Sequence, residues 1–260
     1  MIALGLALIA AAASPLGGAL AIWLKPSSML LSVAVGLAGG VLLGTFAFEM
    51  LPKALELSSL PVAVAGFILG FGLVYLLDLY TNRWWMAGPE ASQRPKVKRM
   101  HRRIRPHGSN STVLAAGTSV EELIEGLMIG IGAAFDPGTA IIVAAAICID
   151  NVSEAMSIGE LIQKEESEEG GERSSPNRRI MGWTSLIGAS LFVSAAVGWF
   201  LLGHLGETVR GFLFALGAGG MFYLTVTDLV PEAESHHFQQ SAAAAIGAGF
   251  LVIMVLSELM

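Results

Sequence analysis

Val120-Glu121-Glu122-Leu123-Ile124-Glu125-Gly126-Leu127-Met128-Ile129-Gly130 and Ile149-Asp150-Asn151-Val152-Ser153-Glu154-Ala155-Met156-Ser157-Ile158-Gly159 share one pattern. Each runs acid, then acid or amide, an apolar residue, any residue, Glu, a small residue, two more residues and Ile-Gly. Both lie inside long apolar stretches. Residues four apart share one face of a helix, so Glu121 goes with Glu125 and Asp150 with Glu154. Little more than Asp136-Pro137-Gly138 joins the two stretches, which predicts an antiparallel helical hairpin.

Composition says where such a hairpin lives. The chain has 260 residues, 54% hydrophobic and 14% charged, with a mean hydropathy of +0.67. A soluble globular chain is about 45–50% apolar and about 25% charged. An ordinary soluble enzyme and a disordered chain are both excluded. With 15 Lys+Arg against 21 Asp+Glu the net charge is −6, so no basic surface exists for nucleic acid. Cys148 is the single cysteine, which excludes a disulfide framework and a multi-cysteine metal site. An integral membrane protein remains.

A spanning helix needs about 20 mostly apolar residues. Eight stretches qualify: 2–24, 28–52, 60–80, 113–135, 138–162, 180–203, 208–231 and 239–258. Long continuous runs fit helices, whereas barrel strands are short and alternating. The first stretch lacks a basic leader and is too long for a signal peptide, so it reads as a retained span. Residues 81–112 form a basic loop with eight of the Lys+Arg, and residues 163–179 form a charged loop with four more among five glutamates. Cytoplasmic loops are the ones enriched in Lys and Arg. Odd-numbered loops carry thirteen and even-numbered loops two, Lys53 and Arg210. Both loops are therefore expected in the cytoplasm and both termini outside it, across the inner membrane if the source is bacterial.

A second repeat links spans 2 and 7. Ala38-Gly39-Gly40 precedes Thr45, Glu49 and Pro52; Ala218-Gly219-Gly220 precedes Thr225, Asp228 and Pro231, with one gap. Spans 2 and 7 run in opposite directions, as do spans 4 and 5. That is an inverted repeat, a common design of secondary transporters with a site near the midplane.

Seven acids lie at least three residues inside the ends of these spans: Glu49, Glu121, Glu122, Glu125, Asp150, Glu154 and Asp228. At about 2.5–3.5 kcal/mol each on insertion scales, they would cost on the order of 20 kcal/mol. No Lys or Arg is expected at comparable depth, which leaves protonation or a bound cation. Up to five carboxylates and the Asn151 amide are expected to converge between spans 4 and 5. That donor set is a coordination shell for one or two divalent cations. Glu49 toward the outer face and Asp228 toward the inner face outline a path.

Glu121-Glu122-Leu123-Ile124-Glu125-Gly126 and Asp150-Asn151-Val152-Ser153-Glu154-Ala155 resemble the two metal-binding helices of the ZIP (zinc/iron-regulated-like) metal transporters, which typically read His-Asn-x-Pro-Glu-Gly. The resemblance covers nearly the whole chain. It implies an all-α, eight-helix 3+2+3 inverted-repeat bundle, a binuclear site between spans 4 and 5, alternating access, and Zn²⁺, Fe²⁺ or Mn²⁺ as cargo. By position, Glu121 and Asp150 stand for the two family histidines. Glu122 takes the place of one Asn, Asn151 matches the other, and Glu125 and Glu154 match the glutamates. Ile124 and Ser153 replace the prolines. Span 6 has no acid where relatives often supply a bridging glutamate, and Gly188 is the nearest position. An all-oxygen shell leans toward harder ions such as Mn²⁺, without excluding Zn²⁺.

Glu160, His236 and His237 are candidates for an exit path at the inner ends of spans 5 and 7. Cys148 is about 200° around the helix from Asp150 and is expected to point away from the acids. No organic cofactor is expected. Membrane lipid and metal cations are the expected partners, with a homodimer as the candidate assembly. Two other readings compete: a metal-binding sensor that transports nothing, and an intramembrane hydrolase suggested by the Glu121-Glu122 pair, with Gly126 where its motif requires Arg.

Overall fold

The computed structural model describes residues 2–81, 110–134, 136–169, 175–202, 204–235 and 238–259. They form eight helices: α1 (Ile2–Leu24), α2 (Ser28–Leu57), α3 (Leu60–Thr81), α4 (Asn110–Ala133), α5 (Pro137–Glu169), α6 (Pro176–Leu202), α7 (Glu207–Leu224 continued through Val230–Ser235) and α8 (Gln239–Leu259). Seven are long and apolar enough to cross a membrane. The eighth, α4, misses on composition because Glu121, Glu122 and Glu125 sit in its middle. It is long enough at about 1.5 Å per residue, and it packs among α1, α5 and α6.

Small residues point inward and large apolar ones outward. In α1, Ala7 and Ala10 are fully buried while Leu8 and Ile9 are 61% and 64% exposed. The outer faces of α3 and α8 likewise expose Ile68, Leu69, Leu73, Leu251 and Val255. In water such a belt would be an aggregation surface; in lipid it is the ordinary outer face, with small residues letting backbones approach inside.

The glycines show which backbones touch. A Cβ on Gly40 would lie 2.0 Å from the Ile246 carbonyl (α2 on α8), and one on Gly70 would lie 1.9 Å from Leu216 O (α3 on α7). Gly17 meets Val152 (α1 on α5), and Gly126 meets Leu191 O and Ser194 (α4 on α6). These crossings divide the helices into two groups, α1/α4/α5/α6 and α2/α3/α7/α8. Across the seam between the groups the neighbours are side chains: Met128 lies over Gly217, and Phe214 over Gly132.

Spans 2 and 7 contain matching irregularities. Each has a π turn, Phe46–Met50 and Thr225–Leu229, closed by Leu51 N–H to Phe46 O and Val230 N–H to Thr225 O. Thr45 and Thr225 Oγ1 each donate 2.8 Å back to the carbonyl four residues earlier. Pro52 and Pro231 follow directly and offer no N–H. The Phe48 carbonyl that Pro52 leaves free accepts from Ser257 Oγ at 3.2 Å. Such turns shift the helical register by one residue, and these two carry Glu49 and Asp228.

Sidedness follows from the contacts. Ala3 packs with Ala133 and Ala140, Lys53 pairs with Asp136, and Ser257 bonds Phe48, so both ends of the chain share a face with the α4–α5 turn. Gln163 bonding Ala21 O, and Ser32 bonding Ala233 O, mark the opposite face. The charged segment after span 5 is shorter than expected. Helix α5 runs on to Glu169 and α6 starts at Pro176, because the Gln/Lys/Glu-rich stretch favours helix and Arg179 reaches Glu166 at 3.0 Å. Nearly all of the basic loop, residues 82–109, lies outside the described residues.

The backbone crossings set a stability test. Gly40→Ala and Gly70→Ala should each destabilise the detergent-purified protein by about 1–3 kcal/mol through overpacking. Gly72→Ala, whose Cβ meets nothing within 4 Å, should be neutral in the same thermal melts.

Candidate metal centre

The α4–α5 turn is set by Asp136. Its carbonyl accepts from Ala140 N–H, and its carboxylate accepts from Gly138 N–H at 3.1 Å and Thr139 Oγ1 at 3.0 Å. It thereby caps α5 with Pro137 in the first turn. The two long helices then lie antiparallel, as their short connection predicts.

Glu122 and Glu125 of α4, and Asp150 and Asn151 of α5, are each 1–2% exposed. Glu121 and Glu154 are half-buried. The deepest pair on α4 is thus Glu122 with Glu125, three apart, rather than Glu121 with Glu125. Asn151 explains the rotation. Its Nδ2 donates to Ala10 O of α1 at 3.3 Å and lies 3.5 Å from Glu122 Oε2, tying α1, α4 and α5 together. Ser194 of α6 donates to the Glu122 carbonyl at 3.1 Å, and Thr118 Oγ1 donates to Glu154 Oε1.

Five oxygens at this level are buried with no hydrogen-bond partner: Glu122 Oε1, both of Glu125, Asp150 Oδ1 and Asn151 Oδ1. Native proteins leave few such groups, and an unpaired carboxylate in a dry interior costs several kcal/mol. The ion pairs Lys164–Glu160 and Arg179–Glu165 lie at one face and Lys53–Asp136 at the other. The acids are close enough to repel. Glu125 is within electrostatic reach of Glu122, Asp150 and Glu154. Even so, no three His, Cys, Asp or Glu side chains among the described residues close on one point as a metal cage. In place of the expected convergence there is a string of acceptors between α4 and α5.

Helix α7 adds two acids. Asp228 and Glu232 both act on Glu154, and Glu232 acts on Asp150. Asp228 is exposed, in its π turn; Glu49, in the other, is buried and accepts from Thr139 Oγ1 at 3.0 Å. Glu160 is paired with Lys164. His236 and His237 lie outside the described residues. Gly188 cannot host a bridging acid: its Cβ would fall 2.2 Å from Ala11 O, the carbonyl that Pro15 of α1 leaves free. Cys148 is nearer the acids than its angle suggests, within reach of the Glu125 charge.

Sequence reasoning missed Asp78, which accepts from Tyr223 at 2.7 Å. It sits in the last turn of an apolar span, where its acid character is easily read as a helix end. Glu232 was passed over for the same reason. The pairing of Lys53 with Asp136 joins residues far apart in sequence and left no local pattern.

Residues 88–257 match the family model described as ZIP Zinc transporter. The chain belongs to the ZIP family. It is 28% identical to the zinc transporter ZupT of Corynebacterium glutamicum, over 98% of this chain and 97% of that protein. Against the zinc transporter ZupT of Corynebacterium efficiens it is 27% identical, over 97% and 95%. ZIP proteins are transporters, not enzymes, which removes the hydrolase reading.

The Asp136 cap makes a pH prediction. Partial burial would raise its carboxyl, but Lys53 and Thr139 donating to it hold it below the usual carboxylate value. A lowered folded pKa adds stability above the unfolded value of about 3.9, and that stability is lost as the pH falls through the lowered one. Asp136→Ala should therefore cost about 0.5–2 kcal/mol at neutral pH. The gap to wild type should close in paired melts well below about pH 3.9.

Proposed function

We propose that this ZIP protein takes up divalent metal ions, zinc, iron or manganese, through the carboxylates between α4 and α5. The observation that carries this is the set of five buried, unpartnered oxygens on Glu122, Glu125, Asp150 and Asn151. A protein interior keeps such acceptors when something positive is to be placed among them. Hard oxygen donors suit Mn²⁺ and Fe²⁺ and also accept Zn²⁺. Glu121 and Glu154, half-buried at the edge of the string, would complete a second position in a binuclear site.

The path follows the acids. Glu49 receives the ion at the termini face, which the distribution of Lys and Arg assigns to the outside. The α4–α5 acids strip and hold it. Asp228 and Glu232, then Glu160, His236 and His237, draw it toward the cytoplasm. The seam between the two helix groups is made of side chains and not of interlocked backbones. One group can therefore move against the other and open the acids to each side in turn. A 3+2+3 inverted repeat is supported by the packing: exchanging α1 with α6, α2 with α7, α3 with α8 and α4 with α5 turns the α2–α8 contact into α7–α3, and α1–α5 into α6–α4.

Two experiments test this. The first is uptake of Zn²⁺ and Mn²⁺ by the purified protein in liposomes. Wild type should accumulate both, and Glu125→Ala and Glu154→Ala should each abolish it. Binding without flux would favour the sensor reading. The rate should fall in acid, because the ligands must lose protons to bind metal; a flat profile from neutral pH to about 5.5 would count against carboxylate ligands.

The second is thermal stability. Metal at about 100 times its Kd should stabilise wild type by about 2.7 kcal/mol. Glu125→Gln should melt no lower than wild type without metal, since it removes a buried charge, and should lose most of the metal-induced gain. A full gain in the variant would exclude Glu125 as a ligand.

A further inference from the structure

At the termini face, the seam between α2 and the α4–α5 turn opens as a cleft of about 250 Å³ lined by Glu49, Lys53, Glu56, Asp136 and Thr139. Three carboxylates there face one ammonium. Lys53 Nζ lies 2.7 Å from Glu56 Oε2 and 3.1 Å from Asp136 Oδ2, with its side chain only 18% exposed. Thr139 Oγ1 sits 3.0 Å from both Asp136 Oδ2 and Glu49 Oε2, so one hydroxyl proton serves two carboxylates. Glu49 and Lys53 belong to one helix group, Asp136 and Thr139 to the other. The bonds Asn151–Ala10, Ser194–Glu122, Thr118–Glu154, Tyr223–Asp78 and Ser257–Phe48 all stay within one group. Among the described residues, two polar links cross the seam side by side at this mouth, Lys53 to Asp136 and Thr139 to Glu49.

We propose that Lys53 is a tethered cation that occupies this mouth in the cargo's stead, and that an incoming divalent ion takes Asp136 over from it. This rests on the transport reading above. A lysine ammonium is a compact point charge on a flexible four-carbon stem, and an ion of twice the charge in its position is held by twice the Coulomb attraction. Where the carboxylate oxygens replace the hydration shell that the divalent ion sheds, exchange runs in its favour without exposing three bare carboxylates. Because Lys53 reaches from α2 to the α4–α5 turn, its displacement also unfastens the two groups at the point where the ion arrives. Lys53 is thus a positioning residue that weakens cation binding at the mouth and speeds its passage inward.

The first test needs no transport. Full-length protein in detergent micelles is treated with an acetylating amine reagent, and Lys53 acetylation is followed by mass spectrometry. Saturating Zn²⁺ should raise the Lys53 rate about two- to fivefold, the scale of a partly exposed ion pair. Exposed Lys25, on the opposite face, should be unchanged. An unchanged or slower Lys53 rate overturns the exchange.

The second test is zinc uptake in liposomes. Lys53→Gln should lower KM and kcat together, about two- to fivefold, while Lys53→Arg stays near wild type. A lower kcat at unchanged KM, or equal loss in both variants, makes the pair merely structural and overturns the proposal. Absence of uptake by wild type would instead sink the transport reading, and the acetylation rates would still decide whether a divalent ion displaces Lys53.

Discussion

Among the described residues, five acceptor oxygens between α4 and α5 have no hydrogen-bond donor, and the ion pairs lie at the two faces and not at their depth. The architecture around them serves that condition. Asn151 spends its amide hydrogens on Ala10 and Glu122, not on Asp150 or Glu125. Ser194 bonds the Glu122 backbone and leaves its side chain alone. The nearby hydroxyl that does reach a carboxylate, Thr118, binds Glu154 at the edge of the string. Buried carboxylates left unfilled in this way cost stability when charged, and a shared divalent cation would offset that cost.

Stiffness is distributed to match. Within each helix group, glycines bring backbones to distances that a single methyl would violate, and packing of that kind allows few alternatives. Between the groups, thioether and ring contacts such as Met128 over Gly217 can re-form after a displacement, since Met adapts to irregular surfaces. The acids of α4 and α5 belong to one group; Glu49, Asp228 and Glu232 belong to the other. On the proposed path, an ion passing between the two sets would cross the boundary where side chains, and not glycine-set backbones, meet.

Much of this was legible in the sequence because two periodicities coincide. Apolar runs of spanning length located all eight helices, and acids recurring inside two of those runs marked the seam. Rotation of a helix about its own axis was harder to read. Spacing alone cannot tell Glu121 from Glu122 as the inward residue; the Asn151 bonds to α1 and α4 decide it. Asp78 hid at a helix end, and Gly188 looked like a place for a missing acid until α1, with Pro15, was seen to press its freed carbonyl there. The pairing of spans 2 and 7 held a stronger signal than repetition. In both spans a threonine, an acid and then a proline within eight residues accompany the π turn, since the threonine caps a carbonyl and the proline removes a donor.

Proline placement also separates this chain from the pattern it resembles. With Ile124 and Ser153 at the positions where that pattern has prolines, α4 and α5 pass through the acids as unbroken helices. Ser153 even closes a local bond to the Asp150 carbonyl at 2.8 Å. π turns fall instead on α2 and α7, beside Glu49 and Asp228, and at the end of α6, Gly198–Leu202. An unbroken helix has few free carbonyls to lend to a metal, so on the proposed reading coordination between α4 and α5 would come from side chains. Carboxylates, which bind through one oxygen or two, are the side chains best able to adjust a shell without moving the helix that carries them. On the proposed reading, acids in place of histidines and the missing prolines form one adaptation: adjustability moves from the backbone of the two helices to their side chains.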